Sequence, residues 1–166
     1  NIHGVEPADT ARLKAETNCK QTIASSIEDV PNKGFQIITL WHVLEHIPDL
    51  NSILSKLYEK LHPNGRILIA IPNPSSWDSN HYKKFWAAYD VPRHLWHFKS
   101  QNLESLIRNH GFTLERRIPM KLDAYYVCLL SEKYRKNGST TLLGILKAIF
   151  NGARSNFNAR KNGEYS

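Results

Sequence analysis

Cysteine is scarce in this chain. Cys19 and Cys128 are its only thiols, too few for a disulfide framework and in keeping with a reducing cytoplasm. No signal-peptide pattern opens the sequence. No apolar run is long enough to span a bilayer: the longest, Leu142 to Phe150, is broken by Gly144 and Lys147. The eight glycines nowhere form G-x-G-x-x-G, and there are neither internal repeats nor low-complexity tracts. What is present is ordinary for a folded protein. With 166 residues, 41% apolar and 22% charged, the chain can bury one core, which excludes disorder throughout. The net charge of +7 favours anionic partners without choosing among nucleic acid, phosphorylated sugars and lipid headgroups.

Ile2-His3-Gly4-Val5 reads as the end of a strand, and the chain closes on a polar tail at 162–166. Both ends look like cuts through a longer protein. Asp9 to Lys20 reads as a helix, and Gln21 to Ser25 as a brief strand. Phe35 to Trp41 is β-branched and almost continuously apolar, as a strand covered on both faces must be. Leu50, Ile53, Leu54, Leu57, Tyr58 and Leu61 repeat at helical spacing after Pro48-Asp49. Pro63-Asn64-Gly65 is a turn, and Arg66 to Ile71 a second buried strand. Residues 75–100 hold many aromatics and histidines without a clean period, as functional segments often do. A helix around Leu103 to Ile107 stops at Gly111, Phe112 to Met120 looks strand-like, and 123–155 reads as helices broken at Asn137-Gly138. Alternating strands and helices predict an α/β, Rossmann-like, mostly parallel sheet with helices on both faces, incomplete at the N-terminus and at the C-terminus. Residues 1–122 form its core, and 123–166 a helical insertion and basic tail of the same domain.

Ligands of such sheets sit at the carboxyl ends of the strands. The tips here carry Glu6, then Ser25-Ser26-Ile27-Glu28-Asp29, then Trp41-His42, then Pro72-Asn73. A carboxylate at the first tip can accept both hydrogen bonds of a ribose diol; equally, it can sit at the start of the next helix, favoured by the dipole.

Gly4-Val5-Glu6-Pro7, Ser26-Ile27-Glu28-Asp29, the run from Phe35 to Asp49 with Trp41-His42-Val43-Leu44-Glu45-His46, Leu61 to Asn73, and His110-Gly111-Phe112 together resemble class I S-adenosylmethionine-dependent methyltransferases. The similarity is greatest to their ubiquinone-biosynthesis type. The resemblance implies S-adenosylmethionine as cofactor. It places Glu6 on the ribose hydroxyls and Ser26 and Ile27 beside the adenine. Leu40, Trp41 and His42 run past the methionine part, and His46 faces the reaction cleft. It also implies a first strand and a glycine-rich loop ahead of Asn1, so this chain alone is expected to bind cofactor weakly, to lack activity and to self-associate through bare sheet edges.

His42-x-x-Glu45-His46 also matches an inverted zincin spacing. That motif needs one continuous helix, whereas His42 ends a strand and Pro48 opens a new helix, so no metal is expected. In relatives of this kind, Arg93-His94-Leu95-Trp96-His97-Phe98 lies over the cleft. His94 or His97 could take a proton from a hydroxyl as the methyl group arrives, or be structural. The expected reaction is methyl transfer to oxygen of a small-molecule acceptor that could be anionic. The alternatives are a non-catalytic scaffold or partner subunit, and RNA or protein methylation, for which no separate nucleic-acid module is visible.

Overall fold

A computed structural model describes residues 2–31, 34–139 and 141–166. Its centre is a parallel pair, β1 (Phe35–Trp41) and β2 (Leu61–Ala70). Parallel neighbours need a crossover, here helix α2 (Leu50–Lys60), capped by Asp49 Oδ1, which accepts the Ser52 N–H at 3.0 Å. The ladder is regular from Ile37 opposite Arg66 to Trp41 opposite Ala70, but Phe35 pairs with Leu61. The expected turn at 63–65 is therefore absorbed as a bulge inside β2. Gly65 is required there, because a Cβ would lie 2.6 Å from the Phe35 carbonyl oxygen.

Residues along a strand point alternately to opposite faces. Ile38 and Leu40 of β1, with Ile67 and Ile69 of β2, meet Leu50, Leu54 and Leu57 of α2. Helix α4 (Ser100–Asn109) adds Leu103, Leu106 and Ile107, and Phe98 and Phe112 close the cluster. The other face carries Ile37, 62% exposed, with Trp41 and Leu68 also exposed. The apolar run of β1 predicts cover on both faces; in the structure the remaining long helices pack on one another instead.

The two expected N-terminal strands reduce to one parallel bridge, Val5 with Ala24. Two hydrogen bonds hold it, Glu6 N–H to Ala24 O and Ala24 N–H to Gly4 O, each 2.9 Å. Between the two segments runs α1 (Asp9–Cys19), and the His3 ring meets Phe35 edge-on at 5.4 Å. The strand expected at 112–120 is absent. Only Phe112 is buried; the following residues form no ladder, Pro119 has no N–H to give, and Glu115 and Arg117 pair with Arg66 and Glu104 at 2.8 Å each.

A second core is helical and laced with polar groups. Helix α3 (Trp77–Tyr82) packs against α5 (Lys121–Arg135) and α6 (Leu142–Asn162), which are separated by a break with Asn137 and Gly138 at positive φ. Gly152 lets α6 approach Tyr125, where a Cβ would come within 2.6 Å of the ring. Buried Asp78 accepts from Trp86 Nε1 at 2.7 Å, Ser155 Oγ at 2.6 Å and Ser166 Oγ at 2.9 Å. The Tyr82 hydroxyl donates to Glu132 at 3.1 Å and accepts from Asn151 Nδ2 at 2.9 Å. Burial raises the Tyr82 hydroxyl pKa and pushes the neighbouring Cys128 thiol up to about 12. Among the described residues no helix is long and apolar enough to cross a membrane.

The two faces of the sheet predict opposite responses to substitution. Leu54→Ala, in the closed core, should cost about 3 kcal/mol in denaturant unfolding, whereas Ile37→Thr on the exposed face should stay within about 0.5 kcal/mol. In the helical core, Asp78→Ala leaves three donors without their acceptor and should cost about 3 kcal/mol.

Candidate functional site

The site begins where β1 ends. The His42 N–H reaches the Ala70 carbonyl at 2.9 Å, continuing the ladder by one residue. His42 then turns the chain with φ at +52°, a conformation uncommon for residues carrying a Cβ. A single 3₁₀ turn, Leu44–His46, follows. It drives Leu44 into the apolar core and leaves Glu45 1% exposed beside it. His42, Glu45 and His46 therefore do not share one continuous helix, and a zincin arrangement is not formed.

Histidines surround the Glu45 carboxylate. His42 Nδ1 lies 3.4 Å from Oε1, with its Nε2 3.4 Å from Asp123 Oδ2 on α5. The Glu45 carboxylate first, reinforced by Asp123, holds the His42 pKa above its ordinary value, against partial burial. His94 Nε2 lies 3.9 Å from Glu45 Oε1. Neither Glu45 oxygen receives a hydrogen bond, although both are buried.

The main chain brings His94 there. The Glu45 carbonyl accepts from Leu95 N–H at 2.9 Å and Trp96 N–H at 3.2 Å, and Trp96 Nε1 donates to the Ile47 carbonyl at 2.8 Å. His46 Nδ1 bonds the Arg93 carbonyl at 2.9 Å, and His94 Nδ1 the Ala88 carbonyl at 2.8 Å. Their rings meet edge-on at 4.6 Å. His97 stands 6.3 Å from His94, bonds the Tyr89 carbonyl through Nε2 at 3.0 Å and packs edge-on against Tyr89 at 5.2 Å. Beside this loop lies a groove of about 350 Å³ lined by Lys84, Trp86, Tyr89, Asp90, Val91 and Tyr134.

His42, His46, His94 and His97 are thus brought into one neighbourhood at the β1 tip. Trp41 is exposed there, while Leu40 is buried in the core. Among the described residues no hydrogen bond joins Glu6 or Ser26 to Trp41 or His42. Glu6 Oε1 accepts the Ala8 N–H at 2.9 Å at the start of α1. The Ser26 side chain bonds Glu28, and Ile27 packs against the apolar core. Glu45, read from the sequence only as part of the family-like run and of the zincin-like spacing, is buried at the centre of these contacts; its signal was a lone acid amid Val43, Leu44 and Ile47. Asp123 gave no signal, since its contact with His42 spans 81 residues.

Comparison with known proteins shows the family. The methyltransferase domain family matches residues 1–116. Over 75 residues the chain is 37% identical to the ubiquinone biosynthesis O-methyltransferase of Vibrio parahaemolyticus, covering 42% of this chain and 32% of that protein. The chain thus spans about a third of the length of that curated relative. It belongs to the methyltransferase domain family, with a Rossmann-like α/β fold, and S-adenosylmethionine is the cofactor that membership implies.

The carbonyl contacts fix the ring tautomers. An imidazole nitrogen facing a carbonyl must carry a proton, so ¹⁵N NMR of the neutral rings should show His46 and His94 as Nδ1–H and His97 as Nε2–H. The reverse tautomer at His94 would show that the loop is not anchored on Ala88.

Proposed function

We propose that the protein transfers a methyl group from S-adenosylmethionine to an oxygen of a small-molecule acceptor. The observation that carries this reading is the gathering of His46, His94 and His97 at the tip of β1, beside an aromatic-walled groove, in a chain of the methyltransferase domain family. The O-methyltransferase name of the Vibrio relative supports oxygen as the methylated atom.

The residues present fit the nucleoside end of the cofactor. Parallel pairing at Val5 and Ala24 sets the Glu6 carboxylate and the Ser26 hydroxyl at the same end of two neighbouring segments. Glu6 would accept the ribose hydroxyls through the oxygen not given to Ala8, with Ser26 and Ile27 beside the adenine. Leu40, Trp41 and His42 would pass the methionine moiety. The cofactor supplies an electrophilic methyl on sulfonium. The protein's task is in-line placement of the acceptor oxygen and removal of its proton.

His97 gives Nε2 to the Tyr89 carbonyl and keeps Nδ1 able to take that proton. The groove walls Trp86, Tyr89 and Tyr134 suit an aromatic ring, and Lys84 at its edge suits an acidic substituent. The acceptor is accordingly a phenol or a similar ring alcohol.

The test, made on the full-length protein, is equilibrium binding of S-adenosylmethionine together with methyl transfer from labelled cofactor to a panel of phenols and their methoxy-blocked analogues. Glu6→Ala should weaken cofactor binding about tenfold, or about 1.4 kcal/mol, with acceptor affinity unchanged. His97→Ala should lower kcat by about 10²-fold, the scale of a lost general base. Labelling of blocked and free phenols alike would refute oxygen as the acceptor atom, and an unchanged Kd in Glu6→Ala would refute the ribose role.

A further inference from the structure

We infer that Glu45, His46 and His94 form a binding site for one first-row divalent cation of the Zn²⁺ class. This goes beyond the methyl-transfer reading and does not depend on it. One carboxylate oxygen and two imidazole nitrogens, one from each residue, all lie within 4.8 Å of one another. Tetrahedral coordination with bonds near 2.1 Å sets ligand atoms about 3.4 Å apart. The 3.9 Å from His94 Nε2 to Glu45 Oε1 closes to that value with a small side-chain rotation.

Three features make this more than proximity. First, both histidines give Nδ1–H to a backbone carbonyl, His46 to Arg93 and His94 to Ala88. The Nε2 lone pairs are left available, which is the arrangement that orients metal-binding imidazoles. Second, Glu45 is 1% exposed and neither of its oxygens receives a hydrogen bond. A buried carboxylate without donors needs a cation. His42 Nδ1 approaches one oxygen at 3.4 Å and is shared with Asp123, so it compensates the carboxylate only in part. Third, the loop bearing His94 is fastened to the Glu45 main chain by Leu95 and Trp96, so the ligands from the two segments are held in register.

The donor set selects the ion. Two imidazoles and one carboxylate suit zinc and its neighbours; calcium and magnesium prefer all-oxygen shells. Three protein ligands leave a coordination position open, and exposed His46 provides the path of entry. Glu45 serves here as a ligand, not as the base of a zincin. Asp90, whose Oδ2 lies 3.8 Å from His94 Nε2, is held by Arg93 at 2.7 Å and remains outside the ligand set.

Zn²⁺ titration of the metal-stripped chain by calorimetry, with elemental analysis after dialysis, tests the site. One equivalent should bind. Affinity should fall at least tenfold in His46→Ala and in His94→Ala, and further in Glu45→Gln, while His62→Ala and His110→Ala bind as the native chain does. Because His46 is exposed, His46→Ala keeps the test decisive if a variant at buried Glu45 fails to fold. Absence of saturable binding, or equal affinity in the His46, His94, His62 and His110 variants, would overturn the proposal.

Discussion

The structure depends most on the reversal at His42. A parallel strand must hand its chain to a crossover helix, and here the hand-over takes eight residues between Trp41 and Leu50. The left-handed conformation of His42 lets Leu44 and Glu45 turn inward together. Leu44, fully buried, joins the sheet and α2 in an ordinary apolar cluster. Glu45, one residue on, enters the same interior without a donor for either oxygen. Folding thus carries a carboxylate inward as a consequence of seating its apolar neighbour. That position has a desolvation cost of several kcal/mol unless charge or hydrogen bonds offset it. The three histidines around it are the chemical response.

The two cores differ in how they reach specificity. Under the sheet, aliphatic side chains from β1, β2, α2 and α4 interdigitate, with Phe98 and Phe112 at the edge. Between α3, α5 and α6 the contacts are mixed: Trp86, Tyr82 and Cys128 pack beside Asp78, Ser131, Glu132 and Ser155. Asp78 is satisfied by three donors and Tyr82 by two partners. Fully connected polar groups of this kind fix helix register in a way that apolar surface alone does not.

Periodicity made the first core legible in the sequence. The helical spacing of Leu50, Leu54 and Leu57 and the β-branched run at 35–41 predict the elements that form, within a residue or two. The expected strand at 112–120 failed because a buried Phe112 after Gly111 reads like a strand start, while Pro119 and the exposed charges beyond it preclude a ladder. The turn at Pro63-Asn64-Gly65 was visible as punctuation, but its absorption into β2 was not, since a bulge depends on the partner's register. At the site, the individual histidines and Glu45 were legible, and their convergence was not. Backbone carbonyls of Ala88, Tyr89 and Arg93 orient the rings, and main-chain acceptors leave no trace in residue identity.

The helices beyond residue 120 bear on the site as well as on stability. Asp123, in the first turn of α5, meets His42. A little over two turns later Ser131 accepts the Ala87 N–H at 2.9 Å and Glu132 accepts from Tyr82. Ala87 and Ala88 are the residues whose backbone leads into the carbonyl that holds His94. Helix α5 therefore grips the histidine cluster at two points, through the side chain of His42 and through the main chain that anchors His94. Ordering the segment from Tyr89 to Trp96 costs conformational entropy of about 1–2 kcal/mol per residue. The bonds to Glu45 and Ile47 on one side and to Ser131 on the other offset that cost locally. A displacement of α5 would loosen both grips together, so the geometry around Glu45 is coupled to the packing of α5 against α6.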